Sequence, residues 1–234
     1  MENLVYLFSC FLSCVIIAGL MFQFMGDRYG KAFENPWLYR IAAAVAVVIV
    51  TLVNLKHNTW WNMAANFSVY GIASFICYED KNVRRYWRVM ESECFFIMLI
   101  LFEGIGVFGI DLLMEKLSLM PEDVVISNSI EVAFSKLVIV FFYYVLLRRL
   151  WKKDYRQSRT QVILYLVMFL YSMVNFIILA TAVKRKADYF LLCANLCCVV
   201  FANLYLFYSL KVEDEKNSME FQIAMMKQQE SMQF

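Results

Sequence analysis

The pattern of apolar and polar positions divides the 234-residue chain into long apolar segments joined by short polar connections. Each segment is close to the ~20 residues that a helix needs to cross the roughly 30 Å hydrocarbon core of a membrane. The seven segments are 4–25, 38–55, 60–78, 94–114, 129–151, 162–183 and 189–210. The pattern therefore predicts an all-α, polytopic membrane bundle of about seven transmembrane helices.

The last apolar segment carries no signal that would end its helix at the membrane edge. The chain becomes polar at Lys211, but neither Gly nor Pro occurs between Asp188 and Phe234. One helix over this whole stretch would measure about 70 Å at ~1.5 Å per residue, roughly twice the membrane thickness. We therefore expect two parts, a transmembrane sensor bundle over residues 1–210 and a cytoplasmic signalling helix over residues 211–234.

The polar tail has a partial heptad pattern with steps of seven, four and three residues. Its apolar positions are Val212, Met219, Ile223 and Met226. This spacing predicts a helix that pairs with a second copy of the chain, giving a homodimer. Lys216 and Glu230 occupy seam positions as well, so a solvated amphipathic helix is the alternative.

Composition supports a membrane protein. Hydrophobic residues make up 62% of the chain, charged residues 18%, and the mean hydropathy is +0.59, whereas a soluble domain is near half apolar and a quarter charged. The net charge of +2 is too small to indicate a nucleic-acid partner. The seven cysteines lie in or beside apolar segments and form no C-x-x-C motif, so we expect small buried hydrophobes, with no metal site and no cofactor.

Lysine and arginine are distributed unevenly between alternate connections. Sixteen lie in one set of connections and five in the other. The side richer in basic residues is normally cytoplasmic, and an odd number of crossings then places the N-terminus outside the cell membrane and the C-terminus in the cytoplasm. The basic cluster at residues 184–186 falls on the outer side and opposes this assignment.

The connections on the outer side are short, at residues 56–59, 115–128 and 184–188. None is long enough for a separate ligand-binding domain, so an external signal would have to be read by the bundle itself. The middle connection contains enough apolar residues to lie over the bundle as a lid, and a plain loop is the other interpretation.

Glu103 and Lys136 are the charged residues placed deepest in apolar segments. They lie on consecutive, antiparallel helices at similar depth, so we expect them to meet. Ionisable residues inside a membrane usually face a bundle interior or a wet cavity and find a partner there. The pair is a candidate for ligand binding, and a purely structural ion pair is the alternative. Asn66, Asn175 and Asn195 are further candidate polar groups, unless they only join helices to one another.

Two other features have simpler interpretations. Gly104-Ile-Gly106-Val-Phe-Gly109 matches the dinucleotide-binding pattern G-x-G-x-x-G, but it lies inside an apolar segment without βαβ context. We expect a small-residue face that allows close helix packing. His57, the only histidine, lies beside Trp60 and Trp61 and is typical of an interfacial aromatic belt.

The junction between bundle and tail reads Tyr208-Ser-Leu-Lys-Val-Glu-Asp-Glu-Lys-Asn217 and runs into Met225-Met-Lys-Gln-Gln-Glu-Ser-Met-Gln233. With the multi-span bundle and its very short loops, it resembles the membrane sensor half of peptide-pheromone receptor histidine kinases of the accessory-gene-regulator type, which carry a GHKL ATPase domain. In that family such a junction leads into the dimerisation helix with the phosphoacceptor histidine. The family motif would lie beyond this junction, so the chain itself is not expected to be an enzyme, and a longer parent protein would be a histidine kinase.

The resemblance implies a receptor module of a two-component, quorum-sensing-type system. Its signal would be an external peptide or small apolar molecule, and its partner a cytoplasmic kinase or response regulator. A small transporter or channel with a polar path through Glu103 and Lys136 is the alternative, although the sequence shows no internal repeats or matching broken helices. An intramembrane enzyme would need a clustered nucleophile and base, which the sequence does not offer.

Overall fold

The computed structural model describes residues 2–56, 59–80, 84–117, 124–148 and 189–232, and the single helical positions 167, 171, 172, 174, 175 and 178. In chain order the elements are α1 (Glu2–Arg28), β1 (Gly30–Lys31), α2 (Pro36–Asn54), α3 (Thr59–Cys77), β2 (Tyr78–Glu79), α4 (Arg85–Lys116), α5 (Val124–Phe142), a π-helical turn (Tyr143–Leu147) and α6 (Tyr189–Met232). The prediction of an all-helical fold is confirmed.

Four of the described helical stretches are long and apolar enough to cross a membrane, which indicates a membrane protein. They are Val5–Arg28, Pro36–Asn54, Arg85–Lys116 and Ile126–Leu147. The 19-residue α3 has sufficient length, but its polar residues, Asn62 and Asn66 among them, lower its mean hydropathy. The described apolar stretch of α6, Leu192–Leu206, is shorter. Most of segment 162–183 lies outside the described residues, so the predicted number of about seven spans is not confirmed.

α4 begins at Arg85, well before the predicted start at residue 94. The sequence prediction was wrong because Arg88 and Glu91 were taken as part of a polar connection, whereas both side chains are buried in the bundle. Glu91 accepts a hydrogen bond from Arg28 Nε at 3.0 Å and another from the Tyr29 hydroxyl. These partners offset the cost of burying the carboxylate, so a charged residue does not mark the end of the helix here.

The remaining boundaries agree more closely with the sequence. Asn35 caps α2 by accepting a hydrogen bond from the backbone N–H of Trp37 at 2.9 Å, and Pro36 occupies the first helical position. α5 begins at Val124 instead of residue 129, which shortens the connection expected at 115–128; residues 118–123 lie outside the described residues. α6 continues past Leu210 to Met232, so the predicted extension of the last helix is confirmed.

Two short strands tie the connection after α1 to the connection after α3. β1 and β2 are antiparallel, with Gly30 opposite Glu79 and Lys31 opposite Tyr78. An ion pair of 3.2 Å between Asp27 and Arg148 brings the end of the π-helical turn to the same place. We call this end of the bundle, where β1 and β2 pair, the strand end.

α4 is the central helix of the bundle. Between Cys94 and Phe102 every residue of α4 except Ile100 is buried, as expected for a helix that is apolar on all sides. Helices α1 to α5 contact one another in a closed ring, α1 with α2, α2 with α3, α3 with α4, α4 with α5, and α5 with α1. The main contact of α6 among these elements is with α4.

Candidate ligand-binding cavity

A cavity of about 640 Å³ lies between the helices at the end of the bundle opposite the strand end. All six described helices contribute to its wall, among them α1 through Tyr6, α2 through Asn54, α3 through Asn62, α5 through Asn128 and α6 through Leu196. Small-molecule pockets in proteins range from roughly 300 to 1,000 Å³. The cavity therefore has room for a drug-sized molecule or for the apolar end of a peptide.

Six side chains of α1 face the cavity, and most of them are small or polar. They are Tyr6, Ser9, Cys10, Ser13, Cys14 and Ile17. Steps of three, one, three, one and three residues place these positions on one face of a helix. Leu12 and Val15 lie on another face and are exposed. The sequence analysis missed this face, although small and polar residues at helical spacing within an apolar segment would have revealed it.

Asparagine side chains near the cavity are held by short-range hydrogen bonds. Asn66 Nδ2 donates to the Asn62 carbonyl oxygen at 2.9 Å and to the Asn62 side-chain oxygen at 2.8 Å. Asn54 Nδ2 donates to Cys14 Sγ at 3.3 Å. All four residues line the cavity. Asn66 was predicted as a site residue, whereas Asn54 and Asn62 were not.

Glu103 and Lys136 form an ion pair in the wall of the cavity, with Lys136 Nζ donating to Glu103 Oε1. The predicted pairing is confirmed. The Lys136 side chain is 4% exposed and the Glu103 side chain 30% exposed. The carboxylate therefore faces the open space, while the ammonium group is enclosed by the helices. A polar ligand group in the cavity would meet the carboxylate first.

Two of the three glycines in the G-x-G-x-x-G segment allow helices to approach closely. A Cβ atom on Gly106 would lie 2.6 Å from Ser135 Cα of α5, and one on Gly104 would lie 2.9 Å from Leu196 Cδ1 of α6. A Cβ atom on Gly109 would meet nothing within 4 Å. Close helix approach is thus present at Gly104 and Gly106, but on two different faces of α4, and the contact at Gly104 brings α6 against the wall of the cavity.

Asn175 and Asn195 are not among the described residues that line the cavity. Asn175 Nδ2 donates to the Tyr171 carbonyl oxygen of its own helix at 2.8 Å. Asn195 precedes Leu196 on α6 without lining the cavity itself. Asn203, which the sequence analysis did not single out, is buried and donates to Ser172 Oγ at 2.7 Å.

The predicted signalling residues lie on the exposed extension of α6. Val212, Met219, Ile223 and Met226 are all exposed. This exposure leaves them accessible to a second copy of the chain or to solvent, so the predicted homodimer stays a prediction. His57 lies outside the described residues.

Comparison with known proteins identifies no relative, since no protein-family model, no curated protein and no solved structure matches the chain. The function is therefore inferred from the cavity and from the helix that leads away from it. Leu196 belongs to both, because it lines the cavity and lies on α6.

Proposed function

We propose that the chain is a membrane receptor module that binds an external peptide or small apolar signal in the cavity and transmits binding through α6. The cavity has the size of a ligand site, and one charged pair and several asparagines supply polar contacts within a largely apolar wall. The signal would displace α6 relative to α4 and so change what the extension of α6 presents in the cytoplasm.

The observation that carries this proposal is the position of Leu196. Its side chain packs where Gly104 leaves room, and both residues line the cavity. A ligand that enters the cavity therefore contacts the α4–α6 interface directly. From Leu196, α6 continues without a break to Met232, a distance of about 54 Å at ~1.5 Å per residue. Movement at the cavity can thus reach the end of the helix.

A transporter or channel is the alternative, with a polar path through Glu103 and Lys136. The middle of the bundle favours the receptor, because a packed apolar layer lies between the cavity and the strand end. This layer contains the buried α4 residues between Cys94 and Phe102. It also contains the stacked rings of Phe24 and Phe95, whose centroids are 3.9 Å apart. Transport would require this layer to open.

The orientation belongs to the same proposal. The cavity would face the outside and the strand end the cytoplasm, because basic residues such as Arg28, Arg85 and Arg148 gather at the strand end. Seven crossings would place the C-terminus in the cytoplasm. Reporter fusions after Arg156 and after Phe234 should both report a cytoplasmic location, and an external signal from either would contradict this orientation.

The resemblance noted in the sequence completes the proposal. We place the chain in a two-component system of the quorum-sensing type, as a homodimer whose exposed tail residues pair across the two copies. In this role the chain carries out no catalysis itself, and a cytoplasmic kinase or response regulator receives the signal. The exposed apolar side chains on the extension of α6 support this pairing.

The experiment compares a cavity-filling variant with its neighbour on the same helix. Ser13→Trp places a large ring in the cavity, and Leu12→Trp places the same ring on the exposed face of α1. The full chain in lipid nanodiscs is screened against a set of short apolar peptides by the rise in its unfolding temperature. We expect a binding peptide to stabilise the wild type and Leu12→Trp, and to lose its effect on Ser13→Trp.

Cross-linking of a Met219→Cys variant tests whether α6 transmits the binding signal to its cytoplasmic extension. The same peptide should change the rate of disulfide formation between two copies. Equal binding to both tryptophan variants would show that the cavity is not the site. Binding without any change in cross-linking would show that α6 does not transmit the signal. Ion flux across liposomes that is abolished by Glu103→Gln would favour the transporter instead.

A further inference from the structure

Arg88 lies close to the start of α4 and is only 2% exposed, one of the largest fully buried side chains among the described residues. Its Nε has no hydrogen-bond partner in the described part of the chain. Glu91, one turn further along α4, already accepts hydrogen bonds from Arg28 and Tyr29. A buried guanidinium N–H without a hydrogen-bond partner is unfavourable, so this position is suited to a bound anion.

A pocket of about 190 Å³ lies beside Arg88 at the strand end. Arg85 and Arg88 line it from α4, Phe75 and Ile76 from α3, and Glu79 from β2. The volume is far above the ~10–15 Å³ that a single water molecule requires. The pocket is also remote from the cavity at the opposite end, so it is a separate site.

The first turn of α4 adds to the positive character of the pocket. The N-cap residue, Arg84, makes no side-chain hydrogen bond to the helix terminus. The Trp87 N–H of this turn already donates to the Arg84 carbonyl at 3.0 Å, so the contribution of the turn is the partial positive charge that the helix dipole places at its start. Arg85 belongs to this turn, and its guanidinium carbon lies 5.5 Å from the centroid of the Phe75 ring.

We propose that this pocket binds an anionic phospholipid and that Arg85 and Arg88 hold its phosphodiester group. Among the described residues, the lining carries two guanidinium groups and one carboxylate, Glu79, which together have a net charge of +1. This charge matches the single net negative charge of a lipid such as phosphatidylglycerol, whose headgroup lacks the ammonium group that neutralises the phosphate in phosphatidylcholine. The planar, forked arrangement of guanidinium donors suits phosphate oxygens in particular.

The apolar lining indicates a lipid as the source of the phosphate group. Phe75 is 46% exposed and Ile76 52% exposed, and both lie on the last turn of α3. In a membrane such side chains face the acyl chains of the surrounding lipids. The pocket thus joins a positively charged end to a lipid-facing apolar side, which is the division that a phospholipid has between headgroup and acyl chains.

The test uses the full-length chain in a non-denaturing detergent, with lipid binding measured by native mass spectrometry. The probes are phosphatidylglycerol, phosphatidylcholine and inorganic phosphate. Arg85→Gln removes an exposed charge from the pocket, so folding is retained, and Arg40→Gln removes an exposed arginine on α2 as the matched control. Glu79→Gln raises the net charge of the lining.

We expect phosphatidylglycerol to bind about tenfold more tightly than phosphatidylcholine. Arg85→Gln should weaken this binding about tenfold, Glu79→Gln should strengthen it, and Arg40→Gln should leave it unchanged. Equal binding of the two lipids, or equal losses in Arg85→Gln and Arg40→Gln, would overturn the site. Inorganic phosphate could instead compete fully with the lipid and lose its binding in Arg85→Gln. That result would show that the ligand of the pocket is phosphate and not a lipid.

Discussion

The ion pair between Glu103 and Lys136 makes an asymmetric prediction about stability. Glu103→Gln leaves the Lys136 ammonium group, 4% exposed, without its counter-charge. Removing one partner of a buried pair costs about 3–5 kcal/mol of unfolding free energy. Lys136→Met leaves the Glu103 carboxylate, which is 30% exposed and can be hydrated in the cavity. Lys136→Met should therefore lower the free energy of unfolding by less, about 1–3 kcal/mol.

The swapped double variant, Glu103→Lys with Lys136→Glu, retains one charge of each sign at the two positions. It should recover most of the lost stability, because the attraction between opposite charges does not depend on which residue carries which sign. Asp27 and Arg148 form a matched control pair, since their side chains are 44% and 50% exposed and their coupling should be only ~0–1 kcal/mol.

The assay is unfolding of the purified chain in mixed micelles, followed by circular dichroism for both single variants, the swap and the control pair. If the swapped variant loses as much unfolding free energy as the two single variants together, within about 0.5 kcal/mol, the pairing and the packing of α4 on α5 would be refuted. A swap that recovers stability but no longer binds a peptide ligand would show that the pair also contacts that ligand.

Two further predictions concern helix packing. Gly106→Ala should destabilise the protein by about 1–3 kcal/mol, because its methyl group would meet the backbone of α5 at 2.6 Å. Gly109→Ala, whose methyl group would meet nothing within 4 Å, is the control and should be neutral or slightly stabilising. Equal unfolding temperatures of the two variants would contradict the close approach of α4 and α5. Glu91→Gln should cost about 3–5 kcal/mol because it leaves the buried Arg28 without this carboxylate. Glu115→Gln, exposed on the same helix, is the control, and equal unfolding free energies of the two variants would show that Arg28 is compensated elsewhere.

Much of the fold was predictable because hydrophobic periodicity and helix length depend on local sequence. The extents of α1, α2 and α3 and the unbroken extension of α6 follow from apolar runs and from the placement of Gly and Pro. The meeting of Glu103 with Lys136 was predictable as well, because consecutive antiparallel helices fix relative depth.

The errors arose where a side chain's environment depends on distant parts of the chain. A polar residue in an apolar helix can donate a hydrogen bond to the preceding turn of its own helix, as Asn175 does to the Tyr171 carbonyl. Residue type alone therefore did not reveal that Asn175 lies outside the cavity wall. Arg88 and Glu91 were read as part of a polar connection, and the burial of Glu91 depends on Arg28 and Tyr29, which are more than 60 residues away. The two-residue strands gave no sequence signal at all, since their pairing exists only once α1 and α3 are packed.

The ring of contacts through α1 to α5 has a mechanical consequence. Each helix in a closed ring is restrained from two sides, and the backbone pairing of β1 with β2 adds a brace across one end, so these five helices resist shear as one frame. Within the described part of the chain, α6 packs mainly along one seam on α4, and Asn203 adds a hydrogen bond to Ser172, so α6 has fewer restraints from these elements than a helix of the ring. A small angular change of α6 at Leu196 then becomes a large sideways displacement at Met232, because about 54 Å of continuous helix, at ~1.5 Å per residue, separates the two residues.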